Sequence, residues 1–229
     1  MDWLPDFAAA ALAAILAITL HEAAHGYAAR ALGDDTAARL GRLSLNPLRH
    51  VDPLGTLIVP GILLISQLLV SGRVEVMFGW AKPVPVNIMA LRNPRFGMVL
   101  VAAAGPAINV ALAFAAALLL HPFQGPGGDN VMDWIEGFLI LSLIGNLVLA
   151  AFNLLPIPPL DGGRILGGLL PPAIGVPFIR LERYGLFIVL GLLFLLPMAV
   201  PGFDPLRSLV TSVVLPTARF ILGITGHGG

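Results

Sequence analysis

Apolar runs long enough to cross a bilayer follow one another along most of this chain, at about residues 7–32, 97–120, 132–155, 184–200 and 205–223, and at 54–70 with an interruption at Pro60-Gly61. About 17–25 such residues span a hydrocarbon core as a helix. In lipid every backbone N–H and C=O needs an internal partner, which leaves helices and closed barrels as the spanning forms. Ala-rich runs of this length favour helix. The expected fold is therefore an all-α polytopic membrane protein with about five to six transmembrane helices. Only 11% of residues are charged and 57% are hydrophobic, against roughly 25% charged in soluble domains.

Thirteen basic and 13 acidic residues balance to zero net charge, and no basic run offers a surface for nucleic acid. The absence of cysteine excludes disulfides, a Cys nucleophile and thiolate metal sites, so any metal must be held by His and carboxylate. MDWLPDF lacks the positive region of a secretory signal, so the first run is expected to be a retained span. No long soluble stretch separates the runs, and residues 1–229 are expected to form a single membrane domain.

Arg and Lys mark the cytoplasmic side of a membrane protein. They occur over 30–49, 73–95 and 164–183, and are missing from 121–136. The N-terminus is accordingly expected outside, with run 97–120 going outward and 132–155 returning. Both flanks of 54–70 are basic, which favours a re-entrant, hairpin-like insertion broken at Pro60-Gly61 over a full crossing. Residues 71–94 read differently: Val74, Val76 and Phe78 alternate with other residues, and FGWAKPVPVN at 78–87 sets Pro at alternate positions, a pattern for an extended or edge-strand segment. Trp80 and Lys82 there suit an interfacial anchor. The same segment suits an edge that receives an unwound substrate by strand addition.

The chemistry concentrates in HEAAH, residues 21–25. Positions i and i+4 share a helix face, so His21 and His25 can direct ring nitrogens at one ion, and Glu22 is placed to act as general base on a water there. Hydrogen bonding within the bundle is the bland alternative, yet two imidazoles and a carboxylate inside a membrane helix are costly and usually mark a functional path. A catalytic zinc takes three protein ligands and keeps an open position. Most other acids lie in loops or at span ends. Asp161 differs: it follows an apolar run broken by Pro156, Pro158 and Pro159, and precedes two glycines that allow close backbone approach.

HEAAH, AGPAIN at 104–109 and NLLPIPPLDGGRI at 153–165 together resemble the site-2 protease family, peptidase family M50, of intramembrane zinc metalloproteases. NPLRHVDPLGT at 46–56 and FGWAKPVPVN resemble its compact bacterial and archaeal branch, without PDZ or CBS domain. The resemblance covers most of 15–185. It implies one zinc per chain, Asp161 as third ligand and Glu22 as catalytic base. It also implies that Asn153 orients substrate or stabilises the developing oxyanion, where a capping or interhelical hydrogen bond is the structural alternative.

Asn109 is open between positioning substrate or transition state and satisfying a carbonyl freed by Gly105-Pro106. His50, in a polar Arg/Asp loop, is open between a fourth ligand or proton shuttle and an ordinary hydrogen-bonded histidine. The implied substrate is a transmembrane protein or peptide cut in or near its membrane segment, in the inner or plasma membrane, with the site towards the cytoplasm. Many relatives have a span before the HExxH helix or carry a PDZ or CBS domain; neither is expected here, so recognition is expected to come from the membrane domain or a separate regulatory or substrate-presenting partner. The alternative function is a membrane metal-ion transporter or metal-binding protein using the same cluster. An inert protease fold kept for assembly is a third.

Overall fold

The computed structural model describes residues 4–70, 72, 81–121 and 130–227. Among these, helices and short turns supply the regular structure and no strand occurs. Helix α1 is Leu4–Ala31. A single turn, Thr36–Arg39, follows, and then α2, which opens as a π-turn over Pro53–Ile58 and continues as Val59–Val70. Helices α3 (Pro94–Leu119), α4 (Asn130–Asn153) and the short α5 (Asp161–Leu169) come next. The chain ends with α6, Pro172–Ala199, and α7, Pro205–Ile224.

Five of these, α1, α3, α4, α6 and α7, are long and apolar enough to cross a membrane. Large apolar side chains such as Phe7, Ile15, Leu100 and Phe187 lie exposed on their outer faces, as a lipid-facing surface requires. Two boundaries differ from expectation. The helix of α2 runs through Pro60-Gly61 without a break, because the π-turn before it already accommodates the altered hydrogen-bond pattern. α6 begins at Pro172 instead of near 184: Pro172 occupies the first helical turn, where its missing N–H costs nothing. A 3-10 stretch, Arg180–Tyr184, carries the charges through the middle.

α1, α3 and α4 pack against one another, and α5 packs on α3. Lipid tails are as apolar as leucine, so helices associate in a membrane by close van der Waals approach, which small residues permit. On α1, Ala9, Ala13, Ala17 and His21 are all buried, one every fourth residue. The row of methyl groups that seats α1 in the bundle thus runs into the first histidine of HEAAH. A second core joins Ala113, Ala116 and Ala117 of α3 to Leu139, Leu143 and Leu147 of α4 and Val214, Ala218 and Ile221 of α7.

α1 stops at Gly33, whose φ of +108° turns the chain at little steric cost. The next residue, Asp34, is buried and accepts N–H bonds from Thr36 at 2.9 Å and from Asn87 at 2.6 Å. Burial pushes this carboxyl up, but the bonds from Thr36 and Asn87, with Arg39 nearby, outweigh it and hold Asp34 below its usual range. Residues 81–87 are neither helix nor strand. Pro83 and Pro85 have no N–H to give a ladder, and the segment is held by isolated bonds: Lys82 N–H to His50 O at 2.9 Å, Arg42 Nη2 to Lys82 O at 3.0 Å, and Val84 N–H to Glu22 Oε2 at 2.9 Å. The expected strand is therefore an irregular strap here. Val74, Val76, Phe78 and Trp80 lie outside the described residues.

Candidate metal centre

Two elements build the site. α1 supplies His21 and His25 from successive turns, and Asp161 opens α5. The chain reaches Asp161 through the proline-broken turn after α4. Gly162 makes that turn tight: a Cβ there would run into the carbonyl groups of Leu154 and Leu155. The glycine pair after Asp161 is thus what lets the helix start be pressed onto the end of α4.

Asp161 Oδ2 lies 3.2 Å from His21 Nε2 and 3.3 Å from His25 Nε2, and the two Nε2 atoms are 3.1 Å apart. Metal–ligand bonds of about 2.0–2.2 Å at tetrahedral angles place ligand atoms about 3.3–3.6 Å from one another. The observed triangle matches that spacing to a few tenths of an ångström. Among the described residues this is the one group of three or more His, Cys, Asp or Glu side chains close enough to share an ion.

The far nitrogens of the rings show why a cation fits. His21 Nδ1 lies 2.5 Å from Asn109 Oδ1 and His25 Nδ1 lies 2.7 Å from Val101 O. Both partners are acceptors, so each Nδ1 carries the hydrogen and donates it, leaving Nε2 as a bare lone pair. Two such lone pairs and a buried carboxylate oxygen without a hydrogen-bond partner then face one point. Three acceptors at this distance repel one another unless positive charge sits between them.

Gly105 on α3 forms the floor. A Cβ built there would meet His25 Nε2 at 2.5 Å and Cε1 of both rings at 2.6 Å. The Gly of AGPAIN is therefore the space occupied by the imidazole pair. Glu22 is half-buried, one residue beyond His21, with Oε2 held by the Val84 N–H.

The remaining candidates fall elsewhere. Asn109 is fully buried, with its side chain bonded to His21 and to the Ala17 carbonyl of α1 and not to a carbonyl of its own helix. His50 is buried, with Nε2 2.8 Å from Ser44 O, and does not belong to the three-residue group, so it is no fourth ligand in this arrangement. Asn153 donates from Nδ2 to Leu149 O at 3.0 Å, a bond within its own helix. One polar residue escaped the sequence reading: Asn146, buried in α4, accepts from Asn109 Nδ2 at 2.8 Å. An amide inside an apolar span was the available signal.

The family model for Peptidase family M50 matches residues 123–196, the part that contains Asp161. The candidate zinc metalloprotease YwhC of Bacillus subtilis is 40% identical over 213 residues, 88% of this chain and 90% of its own length. Rip2 of Mycolicibacterium smegmatis, also named for zinc metalloprotease activity, is 29% identical over 182 residues, 78% of this chain and 64% of its own. A similarly named protein of Methanocaldococcus jannaschii is 42% identical over 91 residues, 38% of this chain and 44% of its own. No solved structure matches the chain at a significant level.

Proposed function

The chain belongs to peptidase family M50, the site-2 protease family of zinc metalloproteases, and on that premise we propose that it hydrolyses a peptide bond in or near the transmembrane segment of a membrane-protein substrate. One observation carries this reading: two Nε2 lone pairs and one carboxylate oxygen converge within 3.1–3.3 Å, from a helix that also bears Glu22. His21, His25 and Asp161 are the residues that would hold the zinc, one ion per chain. Bound there, zinc supplies Lewis acidity to a water and to the scissile carbonyl.

The chain's own residues do the rest. Glu22 takes the proton from the water as its oxygen adds to the carbonyl carbon. The same carboxyl then delivers that proton to the amide nitrogen as the C–N bond breaks. Val84 N–H fixes one oxygen of Glu22, leaving the other to handle the proton. Asn109 and the Val101 carbonyl hold the two imidazoles in the tautomer that keeps Nε2 unprotonated.

The basic residues in the last turn of α1 and after it, among them Arg30, Arg39, Arg42 and Arg49, support a site towards the cytoplasmic side of the inner or plasma membrane. Asn153, at the end of α4 beside the turn to Asp161, would orient the substrate backbone, as the family resemblance implies. The test is Glu22→Gln with a co-expressed single-pass substrate. Retained zinc with loss of cleavage is the expected outcome; continued cleavage eliminates Glu22 as the base. Zinc uptake into proteoliposomes without any cleavage would replace the protease reading by a transporter.

A further inference from the structure

Asn109 and Asn146 form a buried chain of amides that ends on a proposed ligand. Asn146 Nδ2 donates to Ser142 O at 2.8 Å, a backbone carbonyl of its own helix whose polarity cannot reverse. That bond turns Asn146 Oδ1 towards α3, where it accepts from Asn109 Nδ2 at 2.8 Å. The other hydrogen of the same nitrogen goes to Ala17 O of α1 at 3.3 Å. Asn109 must then present Oδ1 to His21 Nδ1. Both amides are buried, Asn109 completely and Asn146 with 4% exposure, so no water competes for these bonds and each orientation dictates the next.

We propose that Asn146 is a positioning residue for the metal site: through Asn109 it fixes the tautomer of His21 and so keeps the Nε2 lone pair free for the ion. This rests on the reading of His21 as a zinc ligand. Without the Asn146 acceptor, the Asn109 nitrogen loses the shorter of its two bonds, and the long 3.3 Å bond to Ala17 O is all that opposes its rotation. A half-turn of the amide offers N–H to His21 Nδ1, moves the ring hydrogen to Nε2 and blocks coordination. Asn146 thus transmits the direction of one helix carbonyl, across three helices, to a ring nitrogen it never touches.

The experiment is zinc affinity by chelator competition on the full chain in detergent micelles, with the melting temperature of the zinc-free protein as a check on folding. Removal of a group that orients a metal-bound His typically costs 10–100-fold in affinity, so Asn146→Leu should bind zinc at least about tenfold more weakly than wild type. Asn146→Asp, which still offers Asn109 an oxygen, should stay within about threefold. In an Asn109→Ala background, Asn146→Leu should cause no further loss, whereas independent structural damage would add. Wild-type affinity in Asn146→Leu, or additive losses in the double variant, overturns the proposal.

Should Asn146→Leu fail to fold, 15N-histidine NMR of the zinc-free wild type decides. His21 must appear as the Nδ1–H tautomer in wild type and in Asn146→Asp, and an Nε2–H form in either overturns the proposal. His21→Ala separates the two readings. If it leaves zinc affinity unchanged, the ligand assignment falls and this inference with it; if it weakens zinc while Asn146→Leu does not, only this inference falls.

Discussion

A methyl group at Gly105 is the smallest change that strikes the centre directly. In Gly105→Ala the new Cβ would sit 2.5 Å from His25 Nε2 and 2.6 Å from His21 Cε1, where nonbonded contact wants about 3.5 Å. The shortfall is about 1 Å. Neither ring can simply swing away, because His21 Nδ1 is bound to Asn109 and His25 Nδ1 to the Val101 carbonyl. Relief has to come from separating α1 and α3 or tilting both imidazoles, and either opens the 3.2 and 3.3 Å approaches to Asp161 Oδ2. Overpacking of this kind costs about 1–3 kcal/mol. Borne by the metal-bound geometry, that weakens zinc binding by about 5- to 150-fold.

The assay is chelator competition in micelles, with Gly145→Ala as control, since nothing lies within 4 Å of a Cβ at that helical glycine. Zinc affinity of Gly105→Ala within about twofold of wild type would refute the steric reasoning.

Val84→Pro removes the N–H that holds Glu22 Oε2 while leaving the zinc ligands untouched; zinc content should stay at wild type and kcat fall by about tenfold or more, a geometric loss at the base. Unchanged kcat would free Glu22 from any dependence on the 81–87 strap. Asp34 gives a pH signature. Its carboxyl lies below its ordinary value in the folded chain, so its stabilisation is complete above the unfolded value of about 3.9 and is lost as pH falls through the folded one. Thermal melts of Asp34→Asn should accordingly show lower stability than wild type at pH 7 and a gap that narrows below about pH 4. A pH-independent gap contradicts that assignment.

The parts of this architecture written in local patterns were legible from residues alone. HEAAH and LDGG carry their own geometry, and the long apolar runs fix where helices α1, α3, α4 and α7 lie to within a few residues. What escaped depended on tertiary partners. The alternating prolines at 83 and 85 argued for an extended segment, but a strand needs N–H groups to pair, and the strap is held instead by Glu22, Asp34 and Arg42. Charges at 180–183 argued for a span beginning after them, whereas an Arg164–Glu182 ion pair at 2.8 Å lets the helix carry them. Asn109 was recognisable as a polar residue in an apolar helix. Its partner, the far nitrogen of His21, lies 88 positions away and has no signature in the chain.

Zinc K-edge absorption on the purified full-length chain measures the central claim most directly. Two imidazole nitrogens and one carboxylate oxygen at about 2.0–2.2 Å, with a solvent oxygen as fourth scatterer, is the expected coordination, and it should collapse in His25→Ala and Asp161→Ala alike. A zinc shell that persists in those variants, or one built from a different ligand set, would contradict the assignment of His21, His25 and Asp161 as the metal centre.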